Sequence, residues 1–175
     1  IYKFVWNEFC DWYIELSKSR LLSQGQGKTT TQNILVHVLE TSLRLLHPFM
    51  PFITEEIWQQ LPVEGKSIML SPFPAHTASR QDTEAENTLG LVMDIIIGVR
   101  NIRGEMNLSP ALLLDLLVKT NDLKKEATIN QHSLYIRELG KIGHLTIGKD
   151  VTKPPVSASS VLDGMDIIIP LEGVM

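Results

Sequence analysis

Cysteine is almost missing from this chain of 175 residues: Cys10 stands alone. That excludes an internal disulfide framework and any cysteine-based zinc cluster. No uninterrupted apolar run approaches the roughly 18 residues of a membrane-crossing helix. Low hydrophobicity and compositional bias are also lacking. A hydrophobic fraction of 43%, 21% charged residues and a mean hydropathy of +0.05 rule out a disordered or collagen-like chain. Positive charge is in short supply, with 16 basic against 20 acidic residues and a net charge of −4. This argues against a general nucleic-acid binder, so neither DNA nor a membrane is an expected partner. The opening residues carry no charged leader, apolar stretch and cleavage site, so a cytoplasmic setting is expected. The length suits one domain, or one domain with a small satellite, and is enough to bury a core.

The chain opens in mid-pattern. Phe4, Val5, Trp6, Phe9, Cys10, Trp12, Tyr13 and Leu16 keep a helical apolar rhythm with no N-capping residue before them. A segment of a longer polypeptide is the expectation, with a first helix packed on more than one side. Residues 21–31 read as a loop. A second helix is expected from about Thr31 to His47, with Ile34, Leu35, Val38, Leu39, Ser42, Leu45 and Leu46 inward. Pro48 and Pro51 force a corner. A third helix should follow with Thr54 as N-cap and Glu55 and Glu56 in its first turn, ending before Pro62. Residues 63–81 look irregular, with a short extended piece at Ser67–Leu70. A long fourth helix spans Asp82 to Met106, with Leu89, Val92, Ile95, Ile96, Val99 and Ile102 at helical spacing.

After Pro110 the texture changes. Strands are expected at Leu112–Val118, His144–Ile147, Val156–Val161 and Met165–Pro170, with short helices at Asn121–Asn130 and Gln131–Lys141. The fold class is therefore mainly α: an antiparallel helical bundle over residues 1–110 and a small α+β appendage over 111–175.

Gly25, Gly27, Lys28 and Thr29 do not make a phosphate-binding loop, since Leu22 stands where that motif needs glycine and a helix replaces its preceding strand. Ser17-Lys18-Ser19 lies at a helix end without any glycine-rich context. The five histidines show no ligand spacing, and no carboxylate pair or serine–histidine set favours catalysis. Neither a catalytic residue nor a metal site is expected.

The second helix carries another pattern. Asn33, His37, Glu40 and Arg44 fall within about a 60° wedge opposite the Leu35, Leu39 and Leu46 side. This is either an ordinary solvent face or a hydrogen-bonding strip, with Phe49 and Phe52 presented at the proline corner beyond it. Exposed aromatics beside hydrogen-bonding and cationic groups are how single-stranded RNA loops are held. One of the two phenylalanines is expected in the core. On the fourth helix Arg103 continues the apolar stripe of Val92, Ile96 and Val99, with Arg100 a little around from it. Such an arginine either snorkels, pairs with a glutamate of the bundle, or contacts phosphate.

The block from Phe4 to Tyr13 (FVWNEFCDWY) and that from Leu43 to Trp58 (LRLLHPFMPFITEEIW) resemble the C-terminal anticodon-binding region of class I aminoacyl-tRNA synthetases. The stretches from Ser67 to Pro74 (SIMLSPFP) and from Val99 to Pro110 (VRNIRGEMNLSP) are similar to the bacterial valyl members of that family. The resemblance covers essentially the whole chain. It implies a module that grips the anticodon stem-loop of tRNA(Val) beside a catalytic domain of the same polypeptide. ATP and magnesium would be used in that catalytic domain, and this segment would hold no cofactor. A C-terminal coiled coil would follow Met175. The tRNA-binding candidates on this chain are Asn33, His37, Arg44, Phe52, Arg100 and Arg103. The rival expectations are an interdomain scaffold with little RNA affinity, or the same region of an isoleucyl or leucyl enzyme. By segment, residues 1–53 hold 5 basic and 4 acidic residues, 54–98 hold 2 and 7, 99–150 hold 8 and 6, and 151–175 hold 1 and 3. The two stretches proposed to face RNA are therefore mildly positive.

Overall fold

The computed structural model describes residues 1–173, and its contacts divide into two compact units, Ile1–Arg80 and a second beginning at Gln81. The first unit opens with a wide π-helical stretch, Phe4–Ile14, that tightens into α1, Glu15–Leu22. Phe9 is buried and its ring lies 6.2 Å from that of Tyr13, whereas Phe4 and Trp6 are exposed. A short loop leads into α2, Gln26–Leu46, which packs on α1. Helix α2 starts earlier than the expected Thr31, so Gly27 and Lys28 lie in its first turn rather than in a loop. Three buried hydroxyls along these two helices bond backward onto their own turns, whereas Thr41 Oγ1 on α2 is buried with no hydrogen-bond partner among the described residues. Ser17 donates to Tyr13 O, Thr31 to Gly27 O and Ser42 to Val38 O, which satisfies each hydroxyl without a partner from outside. Leu43 is buried on α2, while Ile34, expected inward, is exposed.

Helix α3 is Pro51–Gln59. Thr54 is not its N-cap. Pro51 takes the first helical position, where its missing N–H costs nothing. Thr54 is buried one turn in, donating its hydroxyl to Met50 O at 2.8 Å. The stretch expected as extended at Ser67–Leu70 is a 3₁₀ turn, because Ser67 Oγ accepts from Met69 N and closes the chain on itself. Trp58, Leu43 and Ile68 form the core of this unit, flanked by Leu39, Leu61 and Val63. Gly65 has φ +137°, and a Cβ there would sit 2.9 Å from Trp58 Cη2, so the loop can cross the indole only as glycine.

The second unit begins with α4, Thr83–Glu105, capped as expected by Asp82, whose carboxylate accepts from Ala85 N at 2.9 Å. Val92, Ile95, Ile96, Val99 and Ile102 are buried. Strand β1 (Leu114–Lys119) leads through α5 (Leu123–Gln131) and α6 (Ser133–Gly140) to β2 (Ile142–Gly148), which pairs parallel to β1. Strands β3 (Ser157–Leu162) and β4 (Met165–Pro170) form an antiparallel hairpin. Its two-residue loop, Asp163 (φ 46°) and Gly164 (φ 75°), has the doubly left-handed backbone of a type I′ turn. The sheet order is β2-β1-β4-β3. Leu114, Leu116, Val118, Ile167 and Ile169 fill its buried face.

Helices thus dominate, beside one small mixed sheet among the described residues. The expected boundary after residue 110 is corrected by the packing of α4. That helix lies on β3, β4 and α6, so its apolar stripe belongs to the second unit and the division falls at Arg80. Sequence periodicity gives the stripe but not the surface that buries it.

Candidate nucleic-acid interface

Within the first unit, α2 places Asn33, His37, Glu40 and Arg44 along one wall of an open cleft of about 520 Å³. Trp58, Val63, Glu64 and Pro72 line the rest. The strip predicted from helical spacing is therefore real as a surface, but its members differ in what they have left to offer.

Glu40 is the anchor of the wall. Its Oε1 accepts from Trp58 Nε1 at 3.1 Å, and its Oε2 accepts from Arg44 Nη2 at 2.8 Å. Arg44 Nε also lies 2.8 Å from Oε1. The direction of that N–H misses the oxygen, so Nη2 makes the linear bond and Nε contributes by charge alone. Arg44 Nη1 donates to Pro72 O at 2.6 Å. Arg44 thus ties α2 to the loop after the 3₁₀ turn, with its side chain only 18% exposed. Its charge is matched internally by Glu40, so Arg44 sets the shape of the cleft more than it supplies a free cation.

His37 is exposed, and its Nε2 faces Arg80 Nη1 at 2.7 Å. A guanidinium can only donate, so Nε2 is the acceptor and the proton of the neutral ring sits on Nδ1. Asn33 is exposed on the same wall, with an amide that can donate and accept at once.

The proline corner is locked from inside. His47 Nδ1 lies 2.7 Å from Thr54 Oγ1, whose own proton goes to Met50 O. The ring therefore donates to the hydroxyl, joining the end of α2 to the first turn of α3. Glu55 fixes the other side of α3. It accepts from Gln59 Nε2 at 2.6 Å, Ser67 Oγ at 2.8 Å and Ile68 N at 3.2 Å. The Gln59 bond, followed by that from Ser67, holds its carboxyl below the usual carboxylate range.

With the corner fixed, Phe52 is 91% exposed and Phe49 80% exposed. The expectation that one of them enters the core is wrong. The core places are taken by Leu43, Trp58 and Ile68, and the turn aims both rings outward. Met50 and Ile53 are about half exposed beside them, extending the apolar corner. Two flat aromatic faces next to a polar cleft can stack unpaired bases and hydrogen-bond their edges.

The arginines of α4 belong to the second unit. Arg103 is 7% exposed and donates to four carbonyls: Ser109 and Leu112 through Nη1, and Gly140 and Lys141 through Nη2. Burial lowers its pKa, yet a guanidinium stays charged at neutral pH. Neither the expected glutamate partner nor an exposed phosphate contact describes it: Arg103 clamps α4, the approach to β1 and the end of α6 together. Arg100 is exposed and reaches Leu139 O at 3.4 Å. Sequence spacing could not find Trp58, Pro72 and Arg80 as partners of the strip, since each comes from a remote loop or helix. Among the described residues no cluster of histidine, cysteine and carboxylate side chains could hold a metal ion. No helix of the described residues is long and apolar enough to cross a membrane.

A family model described as the anticodon-binding domain of tRNA ligase matches residues 1–118. The valine–tRNA ligases of Geobacillus stearothermophilus and Bacillus subtilis are each 40% identical over 176 residues, covering 100% of this chain and 20% of those proteins. That of Lactiplantibacillus plantarum is 39% identical over 172 residues, covering 98% of this chain and 19% of its own length. The chain spans about a fifth of the length of the curated relatives it matches.

Proposed function

The chain belongs to the family of anticodon-binding domains of tRNA ligases, and on that premise we propose that it binds the anticodon stem-loop of tRNA(Val) as part of a valine–tRNA ligase. The observation that carries this is the pair of outward phenylalanines, Phe49 and Phe52, at a corner rigidified by His47 and Thr54 beside a polar cleft. Valine specificity rests on relatives that share about 40% of their residues with the chain over its length.

Phe52 stacks an unpaired base, Asn33 and His37 meet base edges, and Arg44 holds the wall they stand on. The antiparallel helical bundle is part of the same proposal, supported in residues 1–80 by the packing of α1 on α2 and of α2 on α3. A catalytic domain of the same polypeptide would use ATP and magnesium to activate valine and load the tRNA. This segment would supply binding energy and discrimination, with no bond-making of its own.

The test is Phe52→Ala. Loss of a stacked base lowers affinity for an anticodon stem-loop by about 1–3 kcal/mol while leaving the melting temperature unchanged, because the ring is already in water. Unchanged affinity would favour a scaffold that only docks other parts of the enzyme.

A further inference from the structure

In the second unit, side-chain donors converge on the end of α6. Arg100 Nη2 reaches Leu139 O at 3.4 Å, Arg103 Nη2 reaches Gly140 O at 3.0 Å and Lys141 O at 3.4 Å, and Arg137 Nη2 reaches Gly143 O at 2.8 Å. The negative end of a helix dipole accounts for guanidinium groups gathering there. It favours a cation at Lys141 as well, but it does not account for a side chain at that backbone position. That residue caps α6 in the left-handed conformation, φ 54° and ψ 56°, where the backbone favours glycine and disfavours a Cβ. Among the described residues its ammonium makes no hydrogen bond or ion pair. A lysine at a disfavoured backbone position, with its ammonium unpaired, leaves that charge available to a partner.

Arg100, Arg137 and Lys141 are all exposed. The acidic groups near them are Glu138, exposed on α6, and Asp115 on β1, which lies 3.0 Å from His144 Nδ1. Three exposed cations at one helix end are a local exception in a chain of net charge −4. They come from α4, α6 and the α6 cap, and several exposed cations on one surface are what contacts with the phosphates of an RNA strand require.

We propose that Lys141 and Arg137, with Arg100 beside them, form a phosphate-contacting surface for the backbone of an RNA stem. This rests on the reading that the chain binds RNA. It adds a second contact region to the loop-binding corner of residues 1–80 and reads no base sequence.

The test measures binding of the whole chain to an RNA stem-loop carrying a valine anticodon, by fluorescence anisotropy between about 50 and 200 mM salt. Lys141→Gly relieves the backbone and raises the melting temperature by about 2–4 °C. It nevertheless lowers the slope of log affinity against log salt by about 0.9, and the double variant Lys141→Gly/Arg137→Gln by about 1.8. Phe52→Ala weakens binding with the slope unchanged. A double variant that folds and keeps the wild-type slope overturns the phosphate surface, and if Phe52→Ala still weakens binding the loop reading survives alone. A reduced slope with no effect of Phe52→Ala leaves the phosphate surface standing and removes the loop reading. A wild-type slope of zero overturns the phosphate surface whatever Phe52 does.

Discussion

Arg44 and Phe52 stand on the same predicted surface but end in opposite roles. Arg44 spends its guanidinium on Glu40 and Pro72 O, whereas Phe52 makes no use of the core at all. Helical spacing identified the wedge of Asn33, His37, Glu40 and Arg44 because angular position depends only on residue number. It could not say that Glu40 neutralises Arg44 and holds Trp58, since those bonds depend on where α3 and the loop at Pro72 return. Glu55 gives a direct check at this scale. Its carboxylate accepts three hydrogen bonds, so its folded pKa lies below the ordinary 4.5. For a depressed acid, the stabilisation is fully present above the unfolded value and is lost as pH falls through the folded one. An NMR titration of the Glu55 carboxyl should have its midpoint below 4.5. A midpoint at or above that value would mean that the Gln59 and Ser67 bonds do not persist in solution.

Elements were more legible than their ends. Apolar periodicity located α2, α3, α4 and the strands, because burying one face requires that spacing. The ends depended on bonds that leave no periodic trace. Pro51 starts α3 and moves Thr54 into the interior, and the hydroxyl of Ser67 converts an expected extended piece into a 3₁₀ turn. The stripe on α4 was correct, but Arg103 within it anchors to carbonyls from the approach to β1 and the end of α6. Replacing it takes a donor from all four carbonyls; Ser109 O and Lys141 O keep bonds from Leu112 N and Leu114 N, so the loss falls on Leu112 O and on the buried Gly140 O. Arg103→Met should destabilise the chain by about 2–4 kcal/mol in urea unfolding, with partial recovery in Arg103→Lys, which keeps the charge but not the planar fork. A change of less than about 0.5 kcal/mol, as for an ordinary surface position, would show that the four carbonyls are satisfied without it.

For the whole molecule, a net charge of −4 first spoke against nucleic acid. Local accounting reverses the force of that number. Recognition of one RNA loop needs a few placed groups and not a positive surface, and four of the eight cations of residues 99–150, Arg100, Arg103, Arg137 and Lys141, gather at the end of α6. The family of the chain was legible in the motifs around His47 and Pro48. The division at Arg80 was not, because only three-dimensional packing assigns α4 to the sheet. The central claim is that this chain recognises an anticodon loop. The most direct measurement is its affinity for an RNA stem-loop carrying a valine anticodon, compared with the same stem bearing a permuted loop, at one fixed salt concentration. The account predicts at least about tenfold tighter binding to the valine loop, the discrimination expected from one or two specific base contacts. Equal affinity for both loops would contradict it.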